Sequence, residues 1–364
     1  MSRKVELYVG GAIYLGWTSV SIERSIEAVS GRFRLSVCEK WEKGMRPWVI
    51  RPGDRCVLTC NGEAVITGYV DSIAPFVDNS TRGFQVAGRD KTADLVDCSA
   101  VVASSEIRGQ DAVGIASIIC KPFGIAVRAE VPIGAPFPSF AIEPGEAAWD
   151  CIDRAAKQRA LTVTTDGKGN LVMASIGKKQ AEDLVLGGNI LSASATFDYS
   201  NRFSEYQIKG MSGVVNDEFE AAWDPPKPSI FAKVKDSGVR RYRPLILTGE
   251  QQVSDGSAMK RVNLEMARRK GESAKAKIKV QGWTQSNGEI WPLNAMVRVD
   301  CPWLYLSNTT LLISSIRYSF DTSSGSITEM ELCHPDAFLP DEEKKKKEKE
   351  TKTDSGGYEE YWED

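Results

Sequence analysis

Pro52-Gly53-Asp54-Arg55-Cys56-Val57 returns 240 residues later as Pro292-Leu293-Asn294-Ala295-Met296-Val297. The two stretches then run in step. Val70-Asp71-Ser72-Ile73 matches Ile313-Ser314-Ser315-Ile316 at an offset of 243, Asp78 matches Asp321, and Arg89-Asp90 falls beside Pro335-Asp336 at 246. An offset that grows in small steps is what loop insertions leave in a duplicated module. Apolar residues alternate through both copies, the period of a strand with one buried face. The reading is a chain that is mainly β with an α+β insertion: two similar β-barrel domains, at 1–97 and 191–338, flanking a small α+β domain at 98–190.

The flanks agree. Val5, Leu7 and Val9 alternate before Gly10-Gly11, and Phe33, Leu35 and Val37 alternate after Ser30-Gly31. Short strands separated by turn residues favour a barrel or sandwich. The pattern changes near Asp97. Asp111 can cap a helix carrying Ala112, Ile115, Ala116 and Ile119 at helical spacing, stopped by Pro122. A second helix opens near Pro144 and turns Trp149, Ile152 and Ala155 inward. Asp166-Gly167-Lys168-Gly169-Asn170 lies between the apolar pairs Leu161, Val163 and Leu171, Met173; it lacks the spacing of a phosphate loop and reads as a hairpin tip. Strands resume beyond Ile190, with one long strand predicted from Phe197 to Ile208 and an exposed excursion at Pro225-Pro226-Lys227-Pro228. A helix near 257–270 puts Met259, Val262 and Met266 on one stripe and closes on Arg268-Arg269-Lys270 before Gly271, a termination signal. The end of the chain, 339–364, is a charged segment whose composition predicts disorder; Tyr358, Tyr361 and Trp362 would serve as a docking peptide if it has a partner.

Composition excludes several functions. The chain has 364 residues and a formal charge of −3, of which residues 341–364, with ten acidic and six basic side chains, account for −4. The remainder is nearly neutral and lacks the basic excess of a nucleic-acid binder. Arg240, Arg241 and Arg243 read as a solvated loop or subunit contact. Eight cysteines are spread through a chain that opens on polar Met1-Ser2-Arg3-Lys4, so a thiol-reducing compartment is expected. Cys56 and Cys60 share one strand face but sit about 13 Å apart, and His334 is the single histidine; no metal site and no cofactor site is predicted. No apolar run reaches membrane-spanning length. With no G-x-S-x-G and no H-E-x-x-H, no catalytic residue is assigned and an enzyme is not expected. Trp149, Trp283 and Trp291 fall where core or interface packing is the simpler reading than a glycan platform.

Certain stretches resemble the baseplate hub proteins of Mu-like phages. In the C-terminal part these are Val280-Gln281-Gly282-Trp283, Asn287-Gly288-Glu289-Ile290-Trp291-Pro292-Leu293-Asn294, Leu311-Leu312-Ile313 and Cys333-His334-Pro335-Asp336-Ala337-Phe338. In the N-terminal half they are Ile22-Glu23-Arg24-Ser25-Ile26-Glu27, Gly31-Arg32-Phe33, Gly68-Tyr69-Val70-Asp71 and the run Gly88 to Asp97; Glu143 to Trp149 fits the middle domain. Their order and spacing, to about residue 338, carry the likeness; no single motif is diagnostic.

The resemblance implies a structural protein of a contractile phage tail or phage-tail-like particle: a homotrimer forming a pseudo-six-fold ring. Its implied partners are the central spike protein, the tail tube, other baseplate proteins and the tape-measure protein, with transient passage of DNA and no membrane insertion. Its implied place is the virion tail baseplate, assembled in the host bacterial cytoplasm. The alternatives are a carbohydrate- or receptor-binding β module of a tail and, behind it, a tail-associated cell-wall hydrolase.

Overall fold

The structure, a computed structural model, describes residues 5–40, 49–159, 161–211, 228–248 and 255–338. It is mainly β. The N-terminal part supplies β1 (Val5–Val9), β2 (Ala12–Tyr14), β3 (Ser19–Ser25), β4 (Arg32–Lys40), β5 (Arg55–Cys60), β6 (Glu63–Val77) and β7 (Thr81–Asp90). Alternation decides which faces go inward: Val20 and Ile22, Leu35, Leu58 and Val86 are all almost wholly buried. Register brings them together, with Val20 opposite Leu35 and Leu35 opposite Val86.

The middle of the chain combines helices and strands: α1 (Ala93–Asp97), β8 (Glu106–Gln110), α2 (Ala112–Cys120), β9 (Val127–Ala129), β10 (Phe137–Ala141), α3 (Ala148–Lys157), β11 (Thr162–Thr165) and β12 (Leu171–Ala174). Asp111 caps α2, its Oδ1 accepting from the Gly114 N–H at 2.7 Å. Ile115, Ile119, Ile152 and Ala155 form this unit's separate core, while Trp149 is half-buried at its margin. The Asp166 hairpin joins β11 to β12 and docks on β6: the Thr67 hydroxyl donates to the Gly167 carbonyl at 3.0 Å, and the Arg24 guanidinium to that of Thr165 at 2.8 Å.

β13 (Lys179–Gln180), β14 (Leu184–Val185) and β15 (Ile190–Phe197) return the chain to the large sheet. The strand predicted from Phe197 to Ile208 is two: β15 ends, and β16 (Glu205–Met211) begins a different sheet. Polar chemistry makes the break, as Asp198 accepts from the Ser200 N–H at 2.8 Å and Arg202 turns into a buried ion pair with Asp236 at 2.6 Å. β16 lies between antiparallel β17 (Pro228–Lys235) and parallel β18 (Pro244–Thr248), and α4 (Asp255–Glu272) covers this sheet through Ala258 and Val262. Met266 joins that contact, but Met259 is 42% exposed and off the predicted stripe. Nor does α4 stop at Gly271; it runs on to Glu272. A Cβ at Gly271 would lie 2.4 Å from the Ala337 nitrogen, so the glycine serves the close approach of the 3₁₀ turn Pro335–Phe338 rather than a cap. Of the proline-rich excursion, 225–227 lie outside the described residues, as does the charged segment 339–364.

The C-terminal part supplies β19 (Ala274–Gln281), β20 (Ala295–Cys301), β21 (Leu306–Asp321) and β22 (Gly325–Cys333). Its strand path, β15-β19-β22-β21-β20, repeats the N-terminal path β3-β4-β7-β6-β5. Even the irregularities recur. The β6–β7 ladder is bulged between Val70 and Ser72, and the β21–β22 ladder between Ile313 and Ser315, at the positions the repeat equates. The pairing also corrects the outer ends of the repeat. Cys56 faces Gly68 and Val297 faces Leu311, so Val297 corresponds to Cys56, not Val57; Arg89 likewise corresponds to Cys333, not Pro335. Side-chain parity decides the first of these, because a one-residue slip would turn buried Val297 and Val299 to solvent.

Two closed barrels are not what these strands form. Among the described residues no pairing closes either half on itself, and the halves join in one fourteen-stranded sheet through β21 and β3. The cause is length. β21 has 16 residues; β20 pairs with it only from Leu306 to Leu312, and β3 takes the vacated edge from Ser315 to Asp321. Both halves share a single apolar core.

Candidate assembly interface

The residues that tempt a chemical reading are dispersed. His334 is half-exposed, its Nδ1 3.2 Å from Asp336 in the turn that packs on α4. Cys56 and Cys60 are buried among apolar neighbours, and burial pushes the Cys56 thiol up to about 12, which leaves it protonated and unreactive. Among the described residues no group of three or more His, Cys, Asp or Glu is placed to hold a metal ion, and no helix is long and apolar enough to cross a membrane. Arg240 and Arg241 are exposed, whereas Arg243 is tied down: its guanidinium donates to the Ser200 and Arg202 carbonyls and lies over the Phe203 ring. Trp283 and Trp291 are core residues, Trp283 donating to the Ser319 carbonyl at 2.8 Å.

What the described residues present instead is a joint and two strand edges at the corresponding positions of the repeat. At the β3–β21 joint, Ile22 faces Tyr318, Val20 faces Phe320 and Ile316 faces Arg24. Ile22, Val20, Ile316 and Tyr318 are each less than 5% exposed, so the joint is a continuation of the core. On the outer face Glu23 bridges it, accepting from the Arg317 Nε at 2.6 Å and pairing with Arg32. The Tyr318 hydroxyl donates to the Trp291 carbonyl at 2.5 Å, and burial raises its pKa.

By strand position β6 is the counterpart of β21, and β15 of β3. Among the described residues, β6 pairs from Asp71 to Val77 with β7 alone, and β15 pairs with β19 alone. Ile73 of β6 and Ala193 and Ala195 of β15 are only partly covered by the core they touch, and Pro75, Phe76 and Val77 are exposed. Phe76 folds its ring over Gly83 on the neighbouring strand, where a Cβ would meet it at 2.4 Å. Where β6 bulges, Arg89 holds Asp71 at 2.7 Å and Asp97 at 2.8 Å, and these hydrogen bonds keep the Asp97 carboxyl below the usual carboxylate range. The turn after β6 is tied by Asp78, which accepts from the N–H and hydroxyl of both Ser80 and Thr81 and is held well below the usual range by them. Sequence periodicity marks these strands but not their free edges, because an edge is a property of what pairs with a strand.

The duplicated sheet presents strand edges, and known proteins place it. The N-terminal model of the Mu phage baseplate assembly protein GpP-like family matches residues 4–90, the second-domain model of baseplate hub protein gp44-like matches 92–175, and the fourth-domain model of GpP matches 254–341. Baseplate hub protein gp44 of Escherichia phage Mu is 33% identical over 98% of this chain and 94% of its own length. The 43 kDa tail protein of prophage MuSo2 from Shewanella oneidensis superposes with a TM-score of 0.81 at 38% identity, covering 93% of this chain and 99% of that one. A tail protein from Neisseria meningitidis MC58 does so with a TM-score of 0.75 at 21% identity, over 94% and 99%. The chain belongs to the baseplate hub proteins of Mu-like phage tails.

Proposed function

We propose that this chain is a trimeric adaptor: three copies close a ring of six like half-sheets that joins the six-fold tube of a contractile tail to its three-fold central spike. The observation that carries the reading is the β3–β21 joint together with its two open counterparts. If β15 of one copy lies along β6 of the next as β3 lies along β21, Pro75 faces Ala195, Val77 faces Ala193 and Ile73 faces Phe197. Each molecule then uses one contact inside the chain and one between chains, and three molecules bring the ring round to its start. Such head-to-tail contacts close only at a fixed rotation, and closure removes exposed strand edges. Pro75 has no N–H to offer, which restrains the same edge from indiscriminate pairing.

The hub works by geometry, not by chemistry. Tube, spike, other baseplate proteins and tape-measure protein are its partners, and the tape measure and then DNA pass through its centre. A nearly neutral ring suits such a conduit, since a strongly basic lumen would retain the passing phosphates. Assembly takes place in the host cytoplasm and no part enters a membrane.

Ala195→Asp tests the reading, because it places an unpaired carboxylate where the joint would exclude water. Sedimentation of the purified chain at micromolar concentration is expected to show a trimer for the wild type and a monomer with unchanged circular dichroism for the variant. A wild type that stays monomeric as concentration rises sinks the adaptor.

A further inference from the structure

The two halves differ where β5 and β20 turn back. After β5 the chain reverses through Asn61-Gly62; after β20 it passes through the 3₁₀ turn Pro302–Leu304 and Tyr305. Trp303 is 85% exposed and Tyr305 86%. Tyr305 also holds a left-handed backbone, φ 58°, which a non-glycine residue rarely adopts. Its ring meets Phe197 of β15 edge-on, centroids 6.2 Å apart, so the turn continues the free edge of β15 as one aromatic surface.

The joint inside the chain shows where this turn leads. Cys60, which ends β5, is the counterpart of Cys301, which ends β20. Cys60 shares the core with Tyr318 of the other half. Tyr318 corresponds to Pro75. In the register proposed above, the turn after β20, held beside Phe197 by Tyr305, would lie near Ile73 and Pro75 of the next copy, flanked by Phe76, 50% exposed, and Val77, 68% exposed.

We propose that Trp303 and Tyr305 form a clasp that closes over Pro75–Val77 of the neighbouring copy of this chain. The proposal rests on the trimeric reading and deepens it by naming the side chains that seal the joint between chains. There Ala74 and Thr196 stand at the positions held by Arg317 and Glu23 inside the chain, so no counterpart of the Arg317–Glu23 ion pair bridges it. Large aromatic anchors commonly dominate the energy of such contacts.

Sedimentation velocity on the full chain, comparing the wild type with Trp303→Ser, Tyr305→Gly and the double variant, tests it. Glycine accepts the left-handed backbone, so Tyr305→Gly is expected to fold with an unchanged or higher thermal midpoint. The concentration at which trimer and monomer balance is expected to rise at least about tenfold in each single variant and further in the double one. Equal trimer strength in all four proteins overturns the clasp and leaves the trimer standing. A wild type that is monomeric throughout overturns both.

Discussion

Asp90 ends β7 at 1% exposure, beneath the docked Asp166 hairpin. Its Oδ1 accepts from the Thr92 N–H and hydroxyl, while its Oδ2 meets no donor among the described residues. Burial raises its pKa to about 6, against which the Thr92 bonds and Arg24 act and to which Asp166 adds. A raised carboxyl pKa means that the folded state resists ionisation, so the penalty is absent below the ordinary value near 4 and complete once the pH has passed about 6. At about 1.4 kcal/mol per pKa unit it amounts to roughly 3 kcal/mol above neutrality. Asp90→Asn keeps the acceptor and removes the charge. Urea unfolding is expected to show the variant stabilised at pH 8 and little changed at pH 4; a gain of equal size at both would assign the effect to packing.

At the scale of elements, α4 and the 3₁₀ turn at 335–338 depend on a backbone contact at Gly271. Adding one methyl there forces the turn away from the helix, and overpacking of this kind costs about 1–3 kcal/mol. Gly271→Ala is therefore expected to lower the denaturation midpoint, where a capping glycine on an exposed end would have tolerated alanine better. The cations before Gly271 made this a termination signal in the sequence, and what overrode it lies 66 residues downstream at Ala337. The same limit explains the strand predicted from 197 to 208: alternation is local, but the Arg202–Asp236 pair that redirects the chain spans 34 residues. Legible from pattern alone were the Asp111 cap, the Asp166 hairpin and the buried faces of most strands, because each is decided by neighbours in sequence.

At the scale of the molecule, the duplication was legible in Pro52–Val57 against Pro292–Val297 and in Val70–Ile73 against Ile313–Ile316, while the shared bulge after Val70 and Ile313 emerges only from the strand pairing. The union of the halves was not, since nothing in β3 or β21 alone states that β20 stops short and leaves an edge for β3. The exposed Trp303 escaped for a similar reason: its neighbours Pro302 and Leu304 resemble a strand end, and exposure is settled only by the fold.

The joint between copies is tested most directly by placing cysteines at Val77 and Ala193, in a chain whose exposed Cys38 and Cys98 are replaced by serine. In the proposed register these positions lie directly opposite across the joint, where Cβ atoms stand about 5 Å apart, within reach of a disulfide after slight adjustment. Mild oxidation followed by non-reducing electrophoresis is predicted to give covalent dimers and closed trimers from Val77→Cys/Ala193→Cys and neither from the single variants. Monomer bands alone from the double variant, or cross-linking by Val77→Cys on its own, would contradict the account.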